Sequence, residues 1–299
     1  MTNSLITGAI PALITPFDKD ENNDLVAWKR WIEWHDKQSS RAVVIFGSTG
    51  EGLSLSFSEK ELLLNTARKS LENTAMVVGV STPSTEHAII QAKQAEEHGC
   101  QAILLTTPFY VRPTQDGICQ HYRKIANVTS VPIIMYTVPA RTGSDVTDET
   151  IMTLAQEGTI AGIKDAGTDN KRTGRVLANA PESFCYLGGN DEATLDNLAQ
   201  GGAGTISVIA NIIPNLMQSI ISNYATNEQW SKGKFNEIQD IIEVLAANGN
   251  PQAIKYMAQS LYSIPGTLRL PLTSICDDAK SSIDKLLSTC GLAPESIKN

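Results

Sequence analysis

The chain has 299 residues, of which 24 are lysine or arginine and 32 are aspartate or glutamate, so its formal net charge is −8. With 41% hydrophobic and 19% charged residues it is not an intrinsically disordered protein. The acidic balance also argues against a general nucleic-acid binder, which needs a basic surface. A chain of this length forms one large domain or two ordinary ones.

The first twenty residues lack the basic leader of a signal peptide, and Pro11 and Pro16 interrupt their apolar stretch. No other run approaches the length of a membrane span. The five cysteines are scattered, with no C-x-x-C and no Cys/His pairing at zinc spacing, and the four histidines have no metal-ligand spacing. We therefore expect a cytoplasmic protein with reduced cysteines that binds no metal, membrane or nucleic acid.

Short apolar runs recur along the chain at fairly regular intervals. Each is bounded by Gly, Pro, Ser or Thr, and such runs are typical of strands covered on both faces of a parallel sheet. The predicted strands are residues 9–14, 42–47, 75–80, 102–107, 132–137, 160–165, 184–189 and 204–209.

Amphipathic or polar segments of helical length lie between these runs. Ser58, followed three residues later by Glu61, predicts a capping box at the start of the second helix, and Gly99 predicts the end of the third. The predicted helices are residues 24–37, 58–71, 84–98, 115–128, 147–157 and 192–200.

Eight strands alternating with helices predict an α/β fold, the (β/α)8 or TIM barrel, which takes about 250 residues. The alternative is a doubly wound open sheet, but no G-x-G-x-x-G follows a strand. The barrel accounts for residues 1–225. Residues 226–299 predict a C-terminal helical extension packed on the barrel, because no linker separates the two parts; its helices are 229–247, 251–263 and 274–290, with a turn at 267–273.

A lysine interrupts the sixth apolar run. By strand alternation Lys164 shares a face with the small Gly162, which we expect to leave room beside the lysine, while Asp165 lies on the other face. Burial disfavours a charged ammonium, so such a lysine can offer a neutral amine that attacks a ketone and forms an imine. The competing interpretation is a structural ion pair between Lys164 and Asp165, and the residues alone leave both open.

The sequence GSTGEG at residues 47–52 directly follows the second strand. Its backbone N–H groups and the hydroxyls of Ser48 and Thr49 could bind a small anion such as a carboxylate. A phosphate loop would continue Gly-Lys-[Ser/Thr], but Glu51-Gly52 follows here, so nucleotide binding is excluded. A plain tight turn is the other interpretation.

Two loops after strands four and five carry further polar residues. Tyr136, at the end of strand five, could shuttle protons near a buried lysine, and Arg141 in the next loop could bind a carboxylate through two bonds. Taken alone, each is more simply explained as an ordinary residue, Tyr136 at the edge of the core and Arg141 as a solvated loop charge. Tyr110 projects from a loop rich in aromatics and proline, which is typical of an interface, and Arg112 there reads as a surface charge.

The motifs GSTGE, PFYVRP, Y-x-VPARTG, GIKDAG, GGND and GTISV occur in the order seen in the dihydrodipicolinate synthase/N-acetylneuraminate lyase superfamily, which the chain resembles from about Gly8 to Leu292. The resemblance implies a Schiff-base aldolase, a lyase that needs no cofactor, on a TIM barrel. It implies that Lys164 forms the imine with pyruvate and that Tyr136 shuttles protons in a hydroxyl relay with Thr49 and Tyr110. Tyr110 would reach across a tight dimer interface within a homotetramer built as a dimer of dimers.

The same resemblance implies the substrate-binding residues. Ser48 and Thr49 would hold the pyruvate carboxylate, and Gly189 and the backbone carbonyl of Ile206 would line the pocket. In the synthase pattern the loop reads Pro-Ser-Arg-Thr-Gly and its arginine receives the carboxylate of aspartate 4-semialdehyde; this chain has Ala140 in place of that serine, followed by Arg141.

This arginine favours condensation of pyruvate with L-aspartate 4-semialdehyde to 4-hydroxy-tetrahydrodipicolinate, the entry step of lysine and diaminopimelate synthesis. The alternatives are another pyruvate aldolase of the superfamily, acting on N-acetylneuraminate or a 2-keto-3-deoxy sugar acid, or a non-catalytic barrel that binds a keto acid. The departures from the synthase pattern are Ser48 for threonine, Thr137 for asparagine and Phe109 for tyrosine.

Feedback-inhibited members of the superfamily bind lysine through polar side chains at the dimer interface. We expect weak or no inhibition by lysine, because the matching region of this chain has Phe57, Lys60, Pro83, His87 and Phe109.

Overall fold

The computed structural model describes residues 6–295 and residue 297. The expected absence of a leader in residues 1–5 and the predicted end of the extension at residues 296, 298 and 299 lie outside the described residues. Eight parallel strands form one sheet in the order β1-β8-β7-β6-β5-β4-β3-β2. The strands are β1 (Gly8–Pro11), β2 (Ala42–Ile45), β3 (Ala75–Val80), β4 (Ala102–Thr106), β5 (Ile133–Thr137), β6 (Gly162–Asp165), β7 (Cys185–Gly188) and β8 (Gly204–Ser207).

The sheet closes on itself between its first and second strands. Ala12 and Val44 form a parallel bridge, and the Leu13 N–H donates to the Val44 carbonyl at 2.8 Å. The predicted (β/α)8 barrel is therefore confirmed, and the open-sheet alternative is wrong. All eight predicted strands are present, each within about three residues of its predicted bounds.

Helices cover the outside of the barrel, and three more follow it. Their bounds are α1 (Leu25–Asp36), α2 (Phe57–Ser70), α3 (Thr85–Glu97), α4 (Gln115–Ala126), α5 (Pro139–Thr142), α6 (Asp148–Gln156), α7 (Arg172–Leu177), α8 (Thr194–Ala199), α9 (Pro214–Asn223), α10 (Glu228–Ala247), α11 (Gln252–Tyr262) and α12 (Asp277–Thr289).

The capping box of α2 lies two residues before its predicted position. Ser56, not Ser58, accepts from the backbone of Glu59, and the Glu59 carboxylate accepts from the Ser56 N–H. Both serines are followed by a glutamate three residues later, so the pattern alone could not choose between them. Gly99 ends α3 as predicted, with φ of +74°.

Apolar side chains fill two layers. One layer lies inside the barrel and is formed by alternate strand residues, among them Ile10, Val44, Leu104, Ile134 and Leu187. The other lies between the strands and the helices and contains the buried Trp28 and Trp31. Helix α10 packs against α9, which places the segment after α10 beside the carboxyl ends of the strands. In the described part of the chain, we find no helix with the length and apolarity that crossing a bilayer requires.

Candidate active site

Tyr136 and Lys164 lie side by side at the carboxyl ends of β5 and β6. They are register partners in the sheet, and the Lys164 Nζ lies 4.3 Å from the centroid of the Tyr136 ring. Both side chains are buried, each only 6% exposed. Functional groups of TIM barrels sit at this end of the strands. The two residues are therefore positioned to act on the same molecule.

Lys164 has no ion pair with any residue that the structure describes. The Asp165 carboxylate, its neighbour in sequence, instead accepts from the Tyr186 hydroxyl and the Gly167 N–H and lies 3.4 Å from Arg172 Nη1. The proposed ion pair between Lys164 and Asp165 is thus wrong. Strand alternation explains this, because it directs the two side chains to opposite faces of β6.

Gly162 does not create space for the lysine, contrary to the sequence-based expectation. A Cβ on Gly162 would lie 2.4 Å from the Cys185 carbonyl oxygen of β7. The glycine instead lets the backbones of β6 and β7 approach each other.

The turn at residues 47–52 folds tightly over the end of β2. A Cβ on Gly52 would lie 2.0 Å from the Phe46 carbonyl oxygen, so this position requires glycine. The Thr15 hydroxyl donates to the Gly50 carbonyl at 2.7 Å, and Thr49 Oγ1 accepts from Asn250 Nδ2 at 3.0 Å. These contacts fix the orientation of the Thr49 side chain.

A buried ion pair supports this turn from the C-terminal side. The Lys255 ammonium contacts the Glu51 carboxylate and donates to the Thr267 carbonyl at 2.7 Å, and the Arg269 N–H donates to the same carboxylate at 3.1 Å. Burial lowers the pKa of Lys255 to about 8, although Glu51 acts in the opposite direction, so the ammonium stays protonated at neutral pH.

A cavity of about 260 Å³ opens in front of Lys164 and Tyr136. Arg141, in the short helix α5, borders it, and its Nη2 donates to the Asn250 carbonyl at 3.2 Å. The Lys164 amine, the Arg141 guanidinium and several hydroxyls therefore face one cavity, which suits a small anionic ligand. Of the predicted site residues, the structure brings together Ser48, Thr49, Tyr136, Arg141, Lys164 and Gly189.

Two predicted residues are not among those that line this cavity. Ile206 lies within β8 with its side chain inside the barrel, and Val208 borders the cavity instead. Tyr110 lies in the loop between β4 and α4, 89% exposed, with a positive φ of 69°. Within a single chain Tyr110 therefore contributes nothing to the cavity.

Sequence reasoning missed Asn250, which lies between α10 and α11 and contacts both Thr49 and Arg141. The Gly249-Asn250-Pro251 run signals only the boundary between two helices. Asn250 belongs to the helical segment after the barrel, so the pattern of polar residues at strand ends does not include it.

A buried carboxylate organises the loop after β8. Asp191 accepts from the N–H groups of Val208 and Ile209 at 2.8 and 2.9 Å, and burial raises its pKa. No cluster of His, Cys, Asp or Glu that could hold a metal ion is found among the described residues.

Comparisons with known proteins place this site in context. Residues 5–290 match the model of the dihydrodipicolinate synthetase family. The chain is 36% identical over 292 residues to 4-hydroxy-tetrahydrodipicolinate synthase of Rickettsia bellii, covering 97% of this chain and 99% of the relative.

Two solved structures extend the likeness to the fold. Dihydrodipicolinate synthase from Thermotoga maritima superposes with a TM-score of 0.93 at 31% identity, covering 96% of this chain and 99% of that one. A monomeric dihydrodipicolinate synthase variant superposes with a TM-score of 0.93 at 30% identity, covering 97% and 98%.

Proposed function

The chain belongs to the dihydrodipicolinate synthetase family, and we propose that it is a Schiff-base lyase that condenses pyruvate with L-aspartate 4-semialdehyde. The product is 4-hydroxy-tetrahydrodipicolinate, which enters lysine and diaminopimelate synthesis. The observation that carries the proposal is a buried lysine that pairs with no carboxylate in the described part of the chain, 4.3 Å from a tyrosine ring, in a cavity bordered by Arg141.

In the first half of the reaction pyruvate becomes bound to the enzyme. Its carboxylate lies against the hydroxyls and N–H groups of Ser48 and Thr49. The neutral Lys164 amine attacks the keto carbon, and the resulting carbinolamine loses water to give a protonated imine. The Tyr136 hydroxyl carries protons to and from these groups, with the Thr49 hydroxyl as its partner.

In the second half the imine loses a proton from the methyl carbon and becomes an enamine. This carbon attacks the aldehyde of the semialdehyde, whose oxygen takes up a proton, while Arg141 binds the semialdehyde carboxylate. The substrate amine then attacks the imine carbon, closes a six-membered ring and displaces the Lys164 amine. No redox partner or cofactor is needed, because every electron pair stays within the two substrates and the lysine.

Borohydride reduction in the presence of pyruvate, followed by peptide mass spectrometry, tests the covalent step. The expected adduct is on Lys164 and on neither of two other buried lysines, Lys60 and Lys255, which serve as internal controls. Absence of an adduct on Lys164 would contradict the aldolase proposal. An adduct without turnover of the semialdehyde would indicate another pyruvate aldolase of the family.

Arg141→Ala tests the second substrate. We expect the KM for the semialdehyde to rise by at least about tenfold, because a charge-assisted bidentate contact is lost, while pyruvate trapping stays close to that of the unmodified enzyme. Arg123→Ala is the matched control, since Arg123 pairs with Glu157 on the surface, away from the cavity. An equal rise of the KM for the semialdehyde in Arg141→Ala and Arg123→Ala would contradict the role assigned to Arg141.

We also propose that the protein assembles into a homotetramer in which Tyr110 enters the site of a neighbouring copy. The support is the exposure of Tyr110 and of Val111, the apolar residue that follows it in the chain. A mixture of Lys164→Ala and Tyr110→Phe chains should regain activity if sites are shared. A protein that light scattering shows to be monomeric and that is fully active in the turnover assay would contradict the proposed assembly.

A further inference from the structure

Arg172, in α7, contacts three carboxylates near the ends of β5 and β6. Its Nη2 donates to Asp145 Oδ2 at 2.6 Å, its Nη1 lies 3.4 Å from Asp165 Oδ2, and its Nε lies 3.2 Å from Asp148 Oδ1. The Arg172 side chain is only 9% exposed. Such a cluster is better shielded from solvent than an ordinary surface ion pair.

Two of these carboxylates lie next to the reacting residues, one through the sequence and one through a hydrogen bond to a neighbour. Asp165 follows Lys164 in β6, and Asp145 accepts from the hydroxyl of Thr137 at 3.1 Å. Thr137 follows Tyr136 in β5, and Thr137 and Asp165 are register partners. Arg172 therefore binds the strand ends directly behind the catalytic pair.

The Asp165 carboxylate is held on the side of β6 that faces the helices. Besides Arg172, the Tyr186 hydroxyl and the Gly167 N–H donate to it. Burial, together with the Asp165 charge, raises the pKa of Tyr186 well above its usual range, so its hydroxyl remains a donor. Of these partners, only Arg172 supplies a neutralising positive charge.

We propose that Arg172 is a positioning residue that neutralises the Asp165 carboxylate on the helix side of β6, so that this negative charge does not stabilise the ammonium form of Lys164 on the other face and the lysine amine stays free to attack a keto acid. A carboxylate near an ammonium favours the charged form, and a charged lysine cannot act as a nucleophile. This inference rests on the proposed aldolase function. The other titratable groups that face Lys164 across the cavity, which stay unchanged in every variant below, are Tyr136, Arg141, Asp191 and Glu192.

The experiment measures the rate of borohydride trapping of pyruvate across a pH series, by intact-protein mass spectrometry. Arg172→Met should trap about tenfold more slowly at neutral pH, and its pH of half-maximal trapping should rise by about one unit. Adding Asp165→Asn should return both values to within about threefold and a few tenths of a pH unit of the unmodified enzyme.

Arg175→Met is the matched control, because Arg175 lies in the same helix and pairs with Asp148 and Asp169 without contacting β5 or β6. It should leave the pH profile unchanged. Thermal unfolding and circular dichroism establish that each variant is folded.

A folded Arg172→Met protein with an unchanged pH profile would overturn the inference, and so would a double variant that stays as slow as Arg172→Met. Should Arg172→Met fail to fold, Arg172→Lys gives the same test: one ammonium cannot hold Asp145 and Asp165 together, so an intermediate pH of half-maximal trapping is expected. A profile identical to that of the unmodified enzyme would then overturn the inference. Failure of the unmodified enzyme to form any adduct would instead contradict the proposed function.

Discussion

Asn250 donates a hydrogen bond of 3.0 Å to the hydroxyl oxygen of Thr49, although the two residues are 201 positions apart in the sequence. The same residue accepts from Arg141 through its backbone carbonyl. The segment between α10 and α11 thus contacts groups proposed to hold both substrates.

Asn250→Ala should raise the KM for pyruvate by about tenfold with a smaller effect on kcat, because Thr49 loses the donor that orients it. Steady-state kinetics at saturating semialdehyde measure the effect. Asn248→Ala is the control, since its side-chain amide donates to the Val244 carbonyl of α10. A KM equal to that of the unmodified enzyme would show that Thr49 needs no external orientation.

Tyr136→Phe should lower kcat by about 10²-fold or more, because it removes the proposed proton shuttle. The aromatic ring beside Lys164 remains, so the fold and the binding of pyruvate should change little. The test compares kcat with the melting temperature. A loss of stability equal to the loss of activity would assign the hydroxyl a structural role instead.

Breaking the buried pair between Glu51 and Lys255 should strongly destabilise the protein. Glu51→Gln alone leaves an uncompensated buried ammonium and should cost about 3–5 kcal/mol of unfolding free energy. The double variant Glu51→Gln with Lys255→Met should recover part of this loss, because it removes both charges. Urea unfolding of the single and double variants distinguishes these outcomes, and additive losses would contradict a coupled pair.

His35 should make the protein less stable in acid. It is fully buried between Trp31 and Trp34, and burial lowers its pKa from 6.5 to about 3. Between these values the unfolded chain binds more protons than the folded one, so stability falls as the pH drops below about 6.5.

From about pH 6.5 to pH 4 the contribution of His35 amounts to about 3 kcal/mol. His35→Phe should remove that part of the pH dependence in urea unfolding at the two pH values. His121, whose pKa burial lowers to about 4, remains in both proteins and contributes equally. An unchanged slope in the variant would show that His35 is not buried in its neutral form.

Lysine at millimolar concentrations should inhibit turnover weakly or not at all. Around the proposed effector region, Lys60 is a buried cation that donates to Gln91 Oε1 at 3.1 Å, and Phe57 is exposed. A cationic effector would meet like charge and apolar surface there. Strong inhibition in a steady-state assay would contradict this prediction.

The sequence predicted the barrel and the reacting pair because both leave local signals. Buried strands produce uninterrupted apolar runs, and Lys164 stands out as a charge within one of them. Helix α7 was missed because it is only six residues long and contains Gly174, and α9 because no cap marks its start.

The parts of the site that were not predictable depend on contacts distant in sequence. Asn250 contacts Thr49 because α10 packs on the barrel, and no local residue pattern predicts that these two residues meet. The contact of Asp165 with Arg172 is likewise a tertiary contact. Because Asp165 is next to Lys164 in the sequence, the residues alone suggested an ion pair between those two instead.

The pairing of β1 with β8 means that the barrel cannot close until late in translation. Gly8 and Gly204 are register partners. The hydrogen bonds between β1, the first strand synthesised, and β8, the last, can therefore form only after β8 has been made. Such a high separation in sequence slows folding. The ribosome must also release the segment around Asn250 before Thr49 acquires its donor. The barrel, and with it the cavity at its strand ends, can therefore close only after β8 has been synthesised, and the contact that orients Thr49 forms later still.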